Sequence, residues 1–406
     1  MNHKPVLLTH ARCITPDRIL QDSWLLLADG RIRASGQGSW PEPDICGIAA
    51  ADCQILDLAG SFLTPGFIDI HTHGAGGSDF MDGTADAWKT IARTHARHGT
   101  TALLATTCAC LPAELEQVLQ VWEQWQTGPD PADPVTAAIL GLHLEGPYFA
   151  QEQRGAQDPL YIRNPDPAEY RSLIERCPGI RRWSTAPELP GALEFGAYAA
   201  SRGILVSIAH SNAIYAEVLA ALDNGYSLAT HLYSGMSGVT RLKGFRRGGV
   251  IESALLLDSL DVEIIADGCH LPPELLRLIY KCKGPGHIAL ITDSMRAAGQ
   301  DVSTSIMGSL KQGQTVLIRD GVACLPDLSA FAGSIATTDR LLQTLYFMAG
   351  ISLPDAVAML TYTPARLLRI QDRKGGLKSG MDADLAVLDQ DLQVIQAFVG
   401  GRPVIC

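Results

Sequence analysis

Apolar runs that end on a polar residue recur through the middle of the chain: 66–71 (GFIDIH), 100–106 (TTALLAT), 139–145 (ILGLHLE), 182–188 (RWSTAPE), 204–210 (ILVSIAH), 226–231 (YSLATH), 262–267 (VEIIAD) and 288–293 (IALITD). Each has the length of a strand. Stretches of helical composition separate them, as at 85–98, 112–126, 216–224 and 272–283. This alternation is the signature of repeated β and α units. Eight of them predict an α/β fold of the (β/α)8, TIM-like barrel type.

The two ends carry a different pattern. Residues 4–60 and 375–406 contain short alternating strands broken by turn residues such as TPDR, ADGRI and GGRP. They predict a small β-sandwich assembled from both termini, comprising residues 1–62 and 372–406, beside a barrel spanning 63–371. Residues 127–134 (TGPDPADP) read as an exposed loop.

Composition narrows the partners. Of 406 residues, 47% are hydrophobic and 18% are charged, ample for a deep core, and no run is long and apolar enough for a membrane span. The N-terminal segment lacks the charged start, apolar stretch and cleavage site of a secretory signal, so a cytoplasmic location is expected. A net charge of −11 argues against nucleic-acid or anionic-membrane partners, which require clustered Lys and Arg. The ten cysteines are scattered and read mostly as reduced core residues. Cys108 and Cys110 stand close, but no second pair lies at zinc-finger spacing.

Candidate chemistry follows from position. His71, Glu145, His210, His231 and Asp293 each end a predicted barrel strand, on the face where barrel enzymes carry their active sites. His73 stands two residues after His71, so in extended chain both imidazoles project to one side. An HTH tripeptide alone is a weak signal, a lone His is more often a satisfied buried histidine, and the bland alternative for Glu145 is a carboxylate capping the following segment or paired with an arginine. Together they offer Glu, His and His from separate strands, which leaves the open coordination position a catalytic metal needs. Asp293 is the candidate proton carrier, accepting a proton as water attacks a carbonyl and delivering it to the departing amine.

The motifs PGFIDIHTHGAGGSDFMD, GLHLEGPYF, TAPE, AHSNA, THLYSGM, IADGCH, LITDSMRAAG, AGS, TPARLL and GMDADLAVLD run along nearly the whole chain. Jointly they resemble the amidohydrolase superfamily and, within it, the N-acetylglucosamine-6-phosphate deacetylase family with its N-acetylgalactosamine-6-phosphate relatives. The resemblance implies hydrolysis of the acetamide of an N-acetyl amino sugar. By position it assigns the principal metal to Glu145, His210 and His231, and the acid and base to Asp293. Some members lack the first histidine pair and use one metal; both His71 and His73 are present here, which admits a second ion bridged by Glu145. Zinc is the expected ion, and Fe2+, Mn2+ and Co2+ accept the same ligands. The resemblance further implies that Asp267, Gly268, Cys269 and His270 contact the sugar or its phosphate, and that Phe331, Ala332, Gly333 and Ser334 line the pocket.

Three departures bear on the substrate. Where the family carries a GAH histidine, this chain has Ala156 followed by Gln157, whose amide can donate a hydrogen bond but cannot become cationic. HLYNAM reads HLYSGM, which places Ser234 and Gly235 where the family supports the phosphate. The family arginine that reaches the phosphate from a neighbouring subunit aligns best with Arg246, in the longer segment GVTRLKGFRRGG, and implies a homodimer. Two other readings stay open: a cyclic-amide hydrolase or nucleobase deaminase, the former lacking its usual fourth-strand lysine here, and a sugar-binding protein without catalysis.

Overall fold

Eight parallel strands pair in sequence order: β1 (Phe67–Thr72), β2 (Thr100–Thr106), β3 (Ala138–Glu145), β4 (Ile180–Thr185), β5 (Leu205–Ile208), β6 (Tyr226–Ala229), β7 (Asp261–Ile264) and β8 (Ile288–Leu290). The computed structural model describes residues 4–40, 44–45, 47–126 and 135–405, so the loop expected at 127–134 lies outside the described residues. The pairing forms the expected barrel. Its seam between β1 and β8 is drawn together by the Asp293 amide, which donates to the His71 carbonyl at 2.9 Å. The Thr292 hydroxyl donates across the same seam to the buried Asp69 carboxylate at 2.5 Å.

Side chains alternate between two cores, as strand geometry requires. Leu103 and Ala105 of β2 face the helices, where they join Trp88, Ile91, Trp183 and Phe195. Ala102 and Leu104 face the barrel interior with Ile68, Ile70, Leu228, Ala289 and Ile291, against Leu367 and Leu368. Each fully buried Leu or Ile contributes about 1.5–3 kcal/mol. Outside, the helix Ala85–Arg97 is started by Thr84, whose hydroxyl accepts from the Ala87 amide, and buries Ala87, Trp88, Ile91, Ala92, His95 and Ala96 at helical spacing.

Both chain ends build one accessory β domain. Val6–Ile14 pairs with Ile19–Ala28, Gln54–Asp57 and Phe62–Pro65, and the last of these pairs with Leu385–Leu388 from the C-terminal end. Leu8, Leu25 and Leu27 share a core with Leu385, Val387 and Phe398, so neither end buries its apolar face without the other.

One element was not anticipated. After β8 the chain forms a four-stranded antiparallel sheet from Thr304–Met307, Gln314–Arg319, Val322–Cys324 and Phe331–Ser334. No described helix is long and apolar enough to cross a membrane.

Candidate metal centre and substrate cleft

The strands stop short of most of the residues they present. His71 and Glu145 lie within β1 and β3, whereas His210, His231 and Asp293 follow the last paired residues of β5, β6 and β8. These last three have positive φ, at 47°, 29° and 45°. Non-glycine residues adopt that conformation at a cost of about 1–3 kcal/mol each, and such residues concentrate at functional sites.

Their side chains converge. Glu145 Oε1 lies 3.4 Å from His71 Nε2, 3.4 Å from His210 Nε2 and 3.2 Å from His231 Nε2. Glu145 Oε2 lies 3.4 Å from His73 Nε2. Asp293 Oδ1 is 3.3 Å from Nε2 of both His71 and His73. Two overlapping ligand groups result, His71 with His73 and Glu145, and Glu145 with His210 and His231, all buried.

Neighbours set which ring nitrogen is free. His210 Nδ1 donates to the Gln153 carbonyl at 2.8 Å, which leaves the Nε2 lone pair aimed at Glu145. His71 Nδ1 lies 3.5 Å from Glu263 Oε2, and Glu263 is paired with Arg182. His73 is pulled in two directions: burial opposes its charge, but Asp293 and Glu145 together raise its pKa well above the ordinary histidine value. Burial would raise the pKa of Glu145; His71 and the hydrogen bonds from His210, His231 and His73 hold it well below the carboxylate range. Asp293 is likewise lowered against burial, chiefly by His71 and His73.

These residues fit a divalent cation. Two buried carboxylates, Glu145 and Asp293, both lie within 3.4 Å of the Nε2 atoms of His71 and His73, a concentration of negative charge that a bound cation would balance. His71 Nε2 is buried and makes no hydrogen bond, although it points at both carboxylates. Imidazole nitrogens and carboxylate oxygens are the donor set of zinc and its neighbours.

Beside the candidate ligands opens a cleft of about 240 Å3, lined by His73, Glu145, Gln157, His210, His231 and Asp293 together with residues from the loops that follow the strands and from the antiparallel sheet. Ala156, Ser234, Gly235, His270, Phe331 and Gly333 reach its wall. His71 is fully buried and does not line it. Asp267 is buried behind His270 and accepts from its Nδ1 at 2.8 Å. The Cys269 and His270 amides bond that same Asp267 carboxylate, and Gly268 takes the turn with φ 82°. Ala332 packs in a small core, and the Ser334 hydroxyl donates to the Thr292 carbonyl at 2.6 Å. Arg246 sits apart, on an exposed hairpin of Thr240–Leu242 and Phe245–Arg247. Gly155, Met307 and Ala330 also line the cleft and were not anticipated. Met307 and Ala330 belong to the inserted antiparallel sheet and its loop.

Residues 62–404 match the amidohydrolase family. The chain belongs to that family. As an amidohydrolase it is 33% identical over 403 residues to N-acetylglucosamine-6-phosphate deacetylase from Vibrio furnissii, covering 98% of this chain and 96% of the relative. It is 30% identical over 402 residues to N-acetylgalactosamine-6-phosphate deacetylase from Escherichia coli O157:H7, covering 98% of each. Its backbone superimposes with a TM-score of 0.88, at 30% identity and full coverage of both chains, on a mutant N-acetyl-D-glucosamine-6-phosphate deacetylase from Mycobacterium smegmatis in complex with N-acetyl-D-glucosamine-6-phosphate.

Proposed function

We propose that this amidohydrolase cleaves the acetamide of N-acetylglucosamine 6-phosphate, with water, to acetate and the free amine. The observation that carries this reading is the convergence of His71, His73, Glu145, His210, His231 and Asp293 on one cleft, in a chain whose full-length relatives carry that activity in their names. Glu145, His210 and His231 would hold the principal divalent ion, and His71 and His73 a second one shared through Glu145. Zinc is the ion proposed. Such an ion supplies Lewis-acid polarisation of the amide carbonyl and lowers the pKa of water.

The chain's own groups do the rest. Gln157 lines the cleft with an amide NH2 that has two hydrogens; one bonds Glu145 Oε2, and the other donates to the substrate carbonyl oxygen. Asp293 Oδ1 is held ionised, takes the proton released as water attacks the carbonyl carbon, and returns it to the amine nitrogen as the C–N bond breaks. His270, steadied through Nδ1 by Asp267, presents Nε2 to the sugar, and Phe331 packs edge-on against its ring at 4.8 Å. Ser234 and Gly235 line the phosphate end.

Arg246 does not line the cleft of its own chain, and Phe245 beside it is 79% exposed. We assign the hairpin to a homodimer in which Arg246 reaches the phosphate bound by the neighbouring subunit. The proposed compartment is the cytoplasm, in keeping with described cysteines that are all free thiols.

A substrate panel tests this. Metal-loaded protein is expected to release acetate from N-acetylglucosamine 6-phosphate in preference to the unphosphorylated sugar, with Arg246→Ala raising KM for the phosphorylated substrate alone. The similarity to an N-acetylgalactosamine-6-phosphate deacetylase supports the C4 epimer as second reading, and greater kcat/KM on that epimer would replace the first.

A further inference from the structure

Inside the barrel, beneath the metal ligands, lies a layer that a barrel of this kind ordinarily fills with Val, Ile and Leu. Here it is polar: His143, Arg182, Ser184, Ser207, Thr230 and Glu263 are all fully buried. Arg182 and Glu263 form a two-pronged ion pair, with Arg182 Nη2 donating to Glu263 Oε2 at 2.8 Å and Nη1 to Oε1. Arg182 Nη2 also donates to Thr230 at 2.9 Å and Ser207 at 3.3 Å, and Nη1 to the Ile70 carbonyl at 3.0 Å. The guanidinium is therefore held by Glu263, Thr230, Ser207 and the Ile70 carbonyl together.

Such a layer is expensive as a stabilising device. Desolvating two charges costs several kcal/mol per ion, and well-packed apolar replacements of buried pairs are often neutral or stabilising. Stability alone does not account for the pair. What it does reach is a metal ligand: Glu263 Oε2, fixed by Arg182, is the carboxylate that faces His71 Nδ1. Ile70, the residue Arg182 grips by its carbonyl, immediately precedes His71 in β1.

We propose that Arg182 and Glu263 are positioning residues for the second metal. Glu263 keeps the proton of His71 on Nδ1, so that Nε2 carries a lone pair toward Glu145 and Asp293, and Arg182 locks Glu263 in that orientation. The pair thereby sets how tightly an ion binds at His71 and His73. His210, whose Nδ1 is satisfied by the Gln153 carbonyl instead, does not depend on it. The inference rests on the two-metal reading above.

The test counts Co2+ bound by equilibrium dialysis against intact protein, Glu263→Gln, and the double variant Arg182→Met with Glu263→Leu, with thermal unfolding measured alongside. Intact protein is expected to bind two ions. Both variants should keep the tighter ion and bind the weaker one about 10–100-fold less tightly, the size of effect that groups supporting a ligating histidine usually have. The double variant, with the buried ion pair replaced by apolar side chains, should unfold no earlier than intact protein while still binding the weaker ion less tightly. Two ions held with unchanged affinity in the double variant would overturn the inference, as would altered unfolding with unaltered metal binding. A single ion in the intact protein would instead remove the two-metal reading and this inference with it.

Discussion

Gln157 joins the candidate metal centre to the neighbouring strand-end loop: its side-chain oxygen accepts from the Ala109 amide at 2.9 Å, and its nitrogen donates to Glu145 Oε2 at 2.7 Å. The first bond fixes which end of the amide faces Glu145, because a backbone N–H can meet only the oxygen. Gln157→Leu keeps the bulk and removes both bonds. It should weaken metal binding about 10-fold or more and lower kcat/KM about 10–100-fold, read by metal titration and steady-state kinetics. Unchanged metal affinity in that variant would mean the amide does not position Glu145.

Gly235 is placed where a side chain does not fit. It has φ 55°, and a Cβ there would lie 2.8 Å from the Gln153 carbonyl oxygen and 2.8 Å from His210 Nδ1, the two atoms whose hydrogen bond orients His210. Gly235→Ala must push that bond apart. The expected result is a loss of about 1–3 kcal/mol in urea unfolding, from strain at positive φ, together with weaker binding of the principal metal. A variant that retains both would show that the loop yields without cost.

His95 supplies a pH signature of stability. Its ring is fully buried, with Nε2 bonded to Thr72 at 3.0 Å and to Ser294 at 3.3 Å, and burial, aided by the charge of His98, lowers its pKa to about 4. The unfolded chain takes up a proton there below its ordinary value of 6.5, while the folded chain does not until about pH 4. Between those values the unfolded state binds more protons, so this group's contribution to stability falls as pH falls, by up to about 1.4 kcal/mol per pH unit. His95→Gln should flatten the slope of unfolding free energy between pH 6.5 and 4 relative to intact protein. Equal slopes would contradict the assignment.

The barrel was legible in the chain because its strands are apolar runs ending on a polar residue, and the same run ends carry the candidate site residues His71, Glu145, His210, His231 and Asp293. The ends of the runs were less legible. At His210, His231 and Asp293 strand pairing stops first and the candidate site residue follows at positive φ, a turn that no composition announces. The inserted sheet after β8 does leave a trace in the sequence: Asp320 and Gly321, both at positive φ, form the D-G turn of a hairpin between Gln314–Arg319 and Val322–Cys324. That sheet brings Met307 and Phe331 to the cleft. Glu263, Arg182 and His95 were invisible for a different reason. Each lies within a strand or helix whose pattern reads as core, and only three-dimensional pairing reveals what the polar group holds.

The most direct test of the central claim is acetate release from N-acetylglucosamine 6-phosphate by metal-loaded protein, intact and as Asp293→Asn. The intact protein should yield one acetate and one free amine per sugar consumed. The variant, still folded and still metal-bound, should lose about 10²–10⁴-fold in kcat with little change in KM, as removal of a proton-transferring group requires. Absence of acetate from the intact protein, or full turnover in Asp293→Asn, would contradict the account.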